Sequence, residues 1–225
     1  AETQHCWAGW LDAPFICAQR HRMFPFRDHN PSGRTPYVTY ALIIANIAVF
    51  LVSWPFLSDA DQLFRFFFDW AVVPASVSKG YQAHTLVTSM FLHGGLMHLA
   101  GNMLFLWIFG DNLEDELGHI RFALFYLAAG IGAGIVHVVS DPGSLVPTVG
   151  ASGAIAGVMG GYLLLFPRAR VAVILIVIIF FKIFPVPAWL VLGIWFVIQI
   201  FSGVTTDLTG GGIAYWAHAG GFLIG

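Results

Sequence analysis

Residues 149–161 read VGASGAIAGVMGG, an uncharged stretch of small and apolar residues. Its glycines recur every four residues, at Gly153, Gly157 and Gly161. This spacing places them on one face of a helix, where the missing side chains let a second helix approach to backbone contact. The same spacing recurs at Gly221 and Gly225. We therefore predict that these two helices pack closely against each other.

The composition is that of a membrane protein. The chain of 225 residues is 58% hydrophobic and only 10% charged, which lies outside the range of soluble globular domains. A membrane-spanning helix needs about 20 apolar residues, and fewer where protein shelters it. Uncharged apolar stretches occur at residues 38–57, 90–110, 122–139, 150–166, 188–201 and 215–225. We predict an all-α bundle of six transmembrane helices, with the sixth truncated.

Two segments between these stretches allow more than one interpretation. Residues 171–181 are apolar but short and rich in β-branched side chains. They form either an interfacial segment or the start of a long fifth span, and we favour the former because Lys182, Pro185 and Pro187 interrupt them. The aromatic cluster at residues 63–70 either lies in the membrane interface or forms a loop packed on the helices.

The predicted domain organisation is a short arm followed by one membrane domain. Residues 1–37 form a polar, basic N-terminal arm on the cytoplasmic side, and residues 38–225 form the transmembrane domain, C-terminally incomplete. Residues 1–22 differ from the rest and are interpreted as an upstream extension or a non-native segment, since Met23 is a plausible natural start. The outer loop before the last span carries Gly210-Gly211-Gly212.

The basic residues predict the orientation in the membrane, because cytoplasmic loops are enriched in Lys and Arg. With a cytoplasmic N-terminus, only Arg65 and Lys79 lie outside. The inner side then holds Arg20, Arg22, Arg27, Arg34, Arg121, Arg168, Arg170 and Lys182. We expect an integral protein of a bacterial inner membrane.

Several function classes are disfavoured. A net charge of -2 provides no basic surface for nucleic acid. Cys6 and Cys17 precede the first span on the predicted reducing side, so we expect no disulfide between them. No histidine or cysteine has a partner at metal-ligand spacing, so neither a metal nor another cofactor is predicted.

Four polar side chains stand out within the apolar stretches. Ser152, His218, His98 and Asn102 all fall near the predicted outer ends of their spans. Polar groups inside a membrane are costly and by default mark a function. Close packing of the two glycine faces would bring Ser152 and His218 together at equal depth. Either residue alone is more often structural, so the pairing carries the prediction of a nucleophile and its base.

His98 and Asn102 lie four residues apart, on one face of the second span. They either form polar contacts between helices or supply an oxyanion hole, in which donors point to where negative charge develops during acyl transfer. The backbone N–H of Ser152, at the start of its helix, would add a third donor.

Three motifs together resemble one family, the rhomboid intramembrane serine proteases. They are FLHGGLMHLAGN at residues 91–102, GASG at residues 150–153 and AHAGG at residues 217–221, in the order and spacing of that family. The resemblance implies that Ser152 is the nucleophile and His218 the general base of a dyad. It also implies that His98 and Asn102 form the oxyanion hole, and that His93 is structural.

The resemblance also bears on two further positions. Glu114 matches an acidic residue that ties helices together in the family, the alternative being a solvated turn charge. Ala156 stands where the family can place a large ring that stacks on the catalytic histidine. His218 must therefore be oriented by other groups, and Tyr215 and Trp216 are candidates.

The resemblance implies hydrolysis of a peptide bond in or near the transmembrane segment of single-span proteins, with the lipid bilayer as the other partner. A helical substrate hides its peptide bonds, so we expect one that unwinds readily near the outer face. Two alternatives are a catalytically inactive relative that binds client helices and a transporter. The first predicts a lost nucleophile or base, and the second predicts polar residues at the membrane midplane.

Overall fold

The computed structural model describes residues 33–177, 180–205 and 213–225. Most of the predicted arm, with Cys6 and Cys17, and the loop Gly210-Gly211-Gly212 lie outside these residues. The described elements are α1 (Tyr37–Ser53), α2 (Ala60–Trp70), α3 (Pro74–Val77), α4 (Thr85–Thr88), α5 (Leu96–Leu117), α6 (His119–Ser140), α7 (Ser152–Leu165), β1 (Arg170–Val177), β2 (Phe180–Pro187), α8 (Ala188–Thr205) and α9 (Tyr215–Ile224). The fold is therefore mostly helical.

The all-α prediction is wrong between α7 and α8. There β1 and β2 pair antiparallel, with Arg170 opposite Pro187 and Val177 opposite Phe180. This hairpin also excludes the alternative in which residues 171–181 begin the fifth span, because α8 starts only at Ala188. The physical reason is the run of valine and isoleucine residues, which favour extended over helical backbone.

Within the described residues, three helical segments are long and apolar enough to cross a membrane. They cover Tyr37–Ser58, His119–Ser140 and Ala188–Thr205. A fourth is obtained if Thr85–Phe91 and Leu96–Leu117 are counted as one span bent by 96°. The helix Ser152–Leu165 is apolar but shorter. The structure therefore supports a helical membrane bundle, whereas the count of six spans is not confirmed.

The helix of the second predicted span begins later in the structure than the sequence indicates. Residues 90–110 were expected to form one helix, but α5 begins at Leu96 and the segment before it runs in a different direction. Gly94 and Gly95 separate the two parts. The break agrees with the low helix propensity of glycine and leaves His98 in the first turn of α5.

The centre of the fold is α7. Residues 153–162 of this helix are all buried, and at about 1.5 Å per residue its 14 residues reach only about 21 Å. Its most extensive contact is with α9. A Cβ on Gly160 would overlap the carbonyl oxygen of Phe222, whereas one on Gly161 would first meet Leu113 and Phe125 side chains at 3.3 Å. Gly160 is therefore the glycine of α7 closest to α9, whereas a Cβ on the predicted Gly153 or Gly157 would first meet Ala133 or Ala129 of α6.

Glu114 joins α1 to the end of α5. Its side chain is almost completely buried and accepts hydrogen bonds from the backbone N–H groups of Val38 and Thr39 at 2.8 and 2.7 Å. The Thr39 hydroxyl donates to it at 2.8 Å, and His119 Nδ1 lies 2.6 Å from it. Glu114 therefore satisfies the free N–H groups at the start of α1 and is not a solvated turn charge.

Candidate active site

Ser152 is the first residue of α7 and follows a sharp backbone turn. Gly150 has a φ of 129°, a conformation that glycine adopts far more readily than other residues. Its N–H donates to the carbonyl oxygen of Ser89 at 2.9 Å, which holds the turn. As the first helical residue, Ser152 has a backbone N–H with no acceptor inside its helix. The side chain is half-buried.

His218 lies in the first turn of α9, and its ring meets Ser152 directly. The distance from His218 Nε2 to Ser152 Oγ is 2.7 Å. The two helices come close enough because glycines line their contact: a Cβ on Gly221 would overlap the carbonyl oxygen of Gly153. A hydroxyl hydrogen-bonded to a neutral imidazole is the arrangement that can produce a nucleophilic oxygen.

The ring of His98 borders the same space. A Cβ on Gly150 would lie 2.8 Å from His98 Nε2 and 3.5 Å from Ser152 Oγ. The absence of a side chain at Gly150 therefore leaves room between the two polar atoms. The Gly94 N–H points to His98 Nδ1 at 3.4 Å, so Nδ1 is the acceptor and Nε2 carries the proton in neutral imidazole. His98 Nε2 is thus a donor beside the serine.

Asn102 lies one turn farther along α5 and is buried. Its Nδ2 donates to the carbonyl oxygen of His98 at 3.0 Å. One of its two N–H groups is therefore used within its own helix. The structure brings Ser152, His218 and His98 to one space, whereas the described hydrogen bond of Asn102 is local.

Two site residues escaped the sequence analysis, and both are on α8. Gln199 Oε1 lies 2.8 Å from His218 Nδ1, and the Trp195 ring stacks on the His218 ring with centroids 5.8 Å apart and planes 30° apart. These contacts come from α8 and not from Tyr215 or Trp216. A signal was present, because Gln199 is the only strongly polar side chain in the uncharged stretch 188–201, where such residues mark a site.

His93 is fully buried, and its ring packs edge-on against His98 with centroids 5.1 Å apart. This contact supports the ring of His98. It agrees with the structural part that the resemblance implies for His93.

A small cavity adjoins Ser152 between α6 and α7. Its lining includes His137, Thr148, Gly150 and Ala217. His137 Nε2 lies 2.8 Å from the Thr148 hydroxyl, while the buried Nδ1 has no partner among the described residues. The volume of about 30 Å³ exceeds the roughly 10–15 Å³ that one water requires. The cavity can therefore hold a water close to the serine.

Comparison with known proteins places these motifs in one family. The rhomboid domain model matches residues 80–225. The chain is 29% identical over 202 residues to Rhomboid protein 1, mitochondrial, of Saccharomyces cerevisiae, covering 84% of this chain and 51% of the yeast protein. It is 41% identical over 95 residues to RHOMBOID-like protein 6, mitochondrial, of Arabidopsis thaliana, covering 42% and 29%.

A bacterial relative matches over a shorter stretch. The identity to Rhomboid protease GluP of Bacillus subtilis is 47% over 78 residues, or 35% of this chain and 15% of that protein. The chain spans about half the length of the yeast relative and less of the other two. The match to the family model covers well over half of the chain, and it includes all three motifs around Ser152, His218 and His98. The chain therefore belongs to the rhomboid family.

Proposed function

We propose that the protein is a serine endopeptidase that hydrolyses a peptide bond in or near the transmembrane segment of single-span membrane proteins. The observation that carries this proposal is the 2.7 Å contact between Ser152 Oγ and His218 Nε2. The two residues are 66 positions apart in sequence and meet within a helical membrane bundle. The protease named among the relatives supports the same reaction class.

In the proposed first step, His218 Nε2 accepts the Ser152 hydroxyl proton while Oγ attacks the scissile carbonyl carbon. The carbonyl oxygen becomes an oxyanion in the space beside Gly150. There, His98 Nε2–H and the Ser152 backbone N–H can donate to it. Asn102 can contribute the side-chain N–H that is not used by the His98 carbonyl. Loss of one such donor typically slows a reaction by about 10²–10³.

The second half of the reaction regenerates the enzyme. The protonated His218 gives its Nε2 proton to the leaving amine, which departs as the new amino terminus and leaves an acyl ester on Ser152. A water then gives a proton to His218 Nε2 and attacks the ester, and the serine recovers its proton from the histidine. The cavity lined by His137 and Thr148 supports this step because it can hold a water beside the ester.

The membrane setting is part of the proposal. Eight of the ten basic residues fall on one side if the N-terminus is cytoplasmic, which supports a site opening to the opposite face. We propose a bacterial inner membrane as the location, and the named relatives include both bacterial and mitochondrial proteins. The proposed substrate is a helix that unwinds readily near that face, with a small residue at the cut.

The test is cleavage of a single-span reporter in liposomes by the protein and by its Ser152→Ala variant. We expect cleavage by the protein only, with the variant equally stable in a thermal unfolding assay. Cleavage that persists in the variant would refute the assignment of the nucleophile. If neither cleaves several helix-destabilised reporters, yet both bind them, the protein binds client helices without cutting them.

A further inference from the structure

We infer that Gln199 is a positioning residue for His218, forming with Ser152 a Ser–His–Gln arrangement in which the third member is neutral. This inference rests on the proposed function, since it concerns the proton transfer from Ser152. Gln199 lies on α8, is 5% exposed, and its Oε1 is 2.8 Å from His218 Nδ1. It therefore contacts the ring nitrogen opposite the one that meets the serine.

The orientation of the Gln199 amide follows from its second hydrogen bond. Its Nε2 donates to the carbonyl oxygen of Trp195 at 3.2 Å. A carbonyl oxygen only accepts, so the amide nitrogen must face Trp195 and the amide oxygen must face His218. Turning the amide over would bring two oxygens together at Trp195. The helix backbone thus determines which atom of Gln199 meets the histidine.

This orientation selects one tautomer of His218. Because Gln199 Oε1 can only accept, the neutral imidazole must carry its proton on Nδ1. The lone pair is then on Nε2, 2.7 Å from Ser152 Oγ, where it can take the hydroxyl proton. In the other tautomer Nε2–H would point at the serine, and the ring could not act as a base. Gln199 therefore stabilises the reactive form.

The plane of the ring is held by the same helix. Trp195 lies one turn before Gln199 on α8, and its ring stacks on that of His218. The residue one turn after Ser152 on α7 is the small, fully buried Ala156, so α7 offers no ring for this purpose. A neutral glutamine suits the position, because a charge at a buried site within the membrane carries a large desolvation cost.

The variants Gln199→Met and Gln199→Glu separate orientation from simple packing. Methionine keeps the length and volume of the side chain but removes the acceptor, whereas glutamate restores it with a charge. The matched control is Gln62→Met, on the exposed surface of α2. For Gln199→Met we expect kcat for reporter cleavage to fall by about 10²-fold, within the contribution of general base catalysis, with little change in KM.

We expect Gln199→Glu to recover most of that loss. We also expect its acid limb to lie at higher pH than in the parent, because the carboxylate stabilises the imidazolium. The other titratable groups in the surroundings of His218 are His98 and His137, with Tyr215 on its own helix, and all are common to parent and variants. A carboxylate at position 199 that does not reach His218 would leave the pH profile unmoved. A kcat of Gln199→Met within about threefold of the Gln62→Met control would overturn the inference, as would an unmoved profile in Gln199→Glu.

A second readout does not depend on activity. In ¹⁵N NMR of the parent at about pH 8, where an ordinary imidazole is neutral, we expect the His218 ring to carry its proton on Nδ1. The signal is assigned by its loss in His218→Asn, and the preference should weaken in Gln199→Met. A proton on Nε2 in the parent would refute the role of Gln199 even if no reporter is cleaved. Cleavage by the Ser152→Ala variant would instead refute the proposed function and leave the tautomer result standing.

Discussion

The substitution Gly221→Ala tests whether the contact between α7 and α9 holds the serine and the histidine together. The new methyl group would overlap the carbonyl oxygen of Gly153 and lie 3.0 Å from its carbonyl carbon. Neither atom belongs to a side chain that could turn away. The new methyl group would also lie only 3.3 Å from the methyl group of Ala156. The only relief is therefore a displacement of one helix from the other.

The size of this displacement follows from the geometry. A carbon atom approaches a carbonyl oxygen to about 3.3 Å at the closest, so α9 must withdraw by about 1 Å. Because His218 is three residues before Gly221 on the same helix, its 2.7 Å contact with Ser152 would lengthen beyond hydrogen-bonding distance. A misplacement of about 1 Å in reacting groups can cost about 10²-fold in rate, and overpacking costs about 1–3 kcal/mol of stability.

The control is Gly193→Ala on α8, where a Cβ would have nothing within 4 Å. Both substitutions gain about 0.8–1.0 kcal/mol of helix propensity, so their difference isolates the collision. We expect Gly221→Ala to unfold more readily in detergent and to cleave the reporter about 10²-fold more slowly than Gly193→Ala. Equal stability and equal rates in the two variants would refute the reasoning that backbone contact sets the site.

Two further predictions concern helix ends outside the site. Glu114→Gln removes the buried carboxylate that binds Thr39, and we expect the free energy of unfolding to fall by about 2–3 kcal/mol, as for charge-assisted hydrogen bonds. The control Asp115→Asn, at the surface, should change the free energy of unfolding by less than about 1 kcal/mol. Equal losses for the two variants in a chemical unfolding series would contradict this prediction. Asp59 caps α2, and the backbone and side-chain hydrogen bonds from Gln62 lower the pKa of its carboxyl below 3.8. Since the folded pKa is the lower one, the cap stabilises α2 above pH 3.8 and is lost as pH falls through the lowered value. The protection factor of the Gln62 amide against hydrogen exchange should fall there, and in Asp59→Ala it should be low at every pH.

Much of the fold could be predicted from local pattern. The three spans at α1, α6 and α8 were predicted because each is a long run of apolar residues, a signal that needs no knowledge of neighbours. The hairpin of β1 and β2 was missed because an apolar run of this length is compatible with helix or strand, and pairing between the two halves decides the outcome. The start of α5 was misplaced because hydropathy does not register a bend at Gly94 and Gly95.

The residues of the candidate site could likewise be predicted only in part. Ser152 and His218 were found because each is polar in an apolar span and because glycines at matched spacing imply that their helices touch. Their pairing was predicted from the glycine faces and from equal depth, and the resemblance then implied which residue is the nucleophile and which the base. Gln199 was overlooked because its polarity alone does not tell whether its side chain faces the bundle, the lipid or its own helix.

The sequence by itself determined that the chain belongs in a membrane, which residues form most of its helices, and which polar side chains are too costly to be accidental there. These properties depend on transfer from water to lipid and on helical periodicity, which act residue by residue. Only the tertiary structure decided which ring nitrogen of His218 faces Ser152, that Gln199 and Trp195 orient that ring, and that Gly150 leaves the space beside His98. These depend on distances of about 3 Å between helices far apart in sequence, and hydrogen bonds lose their strength outside so narrow a range.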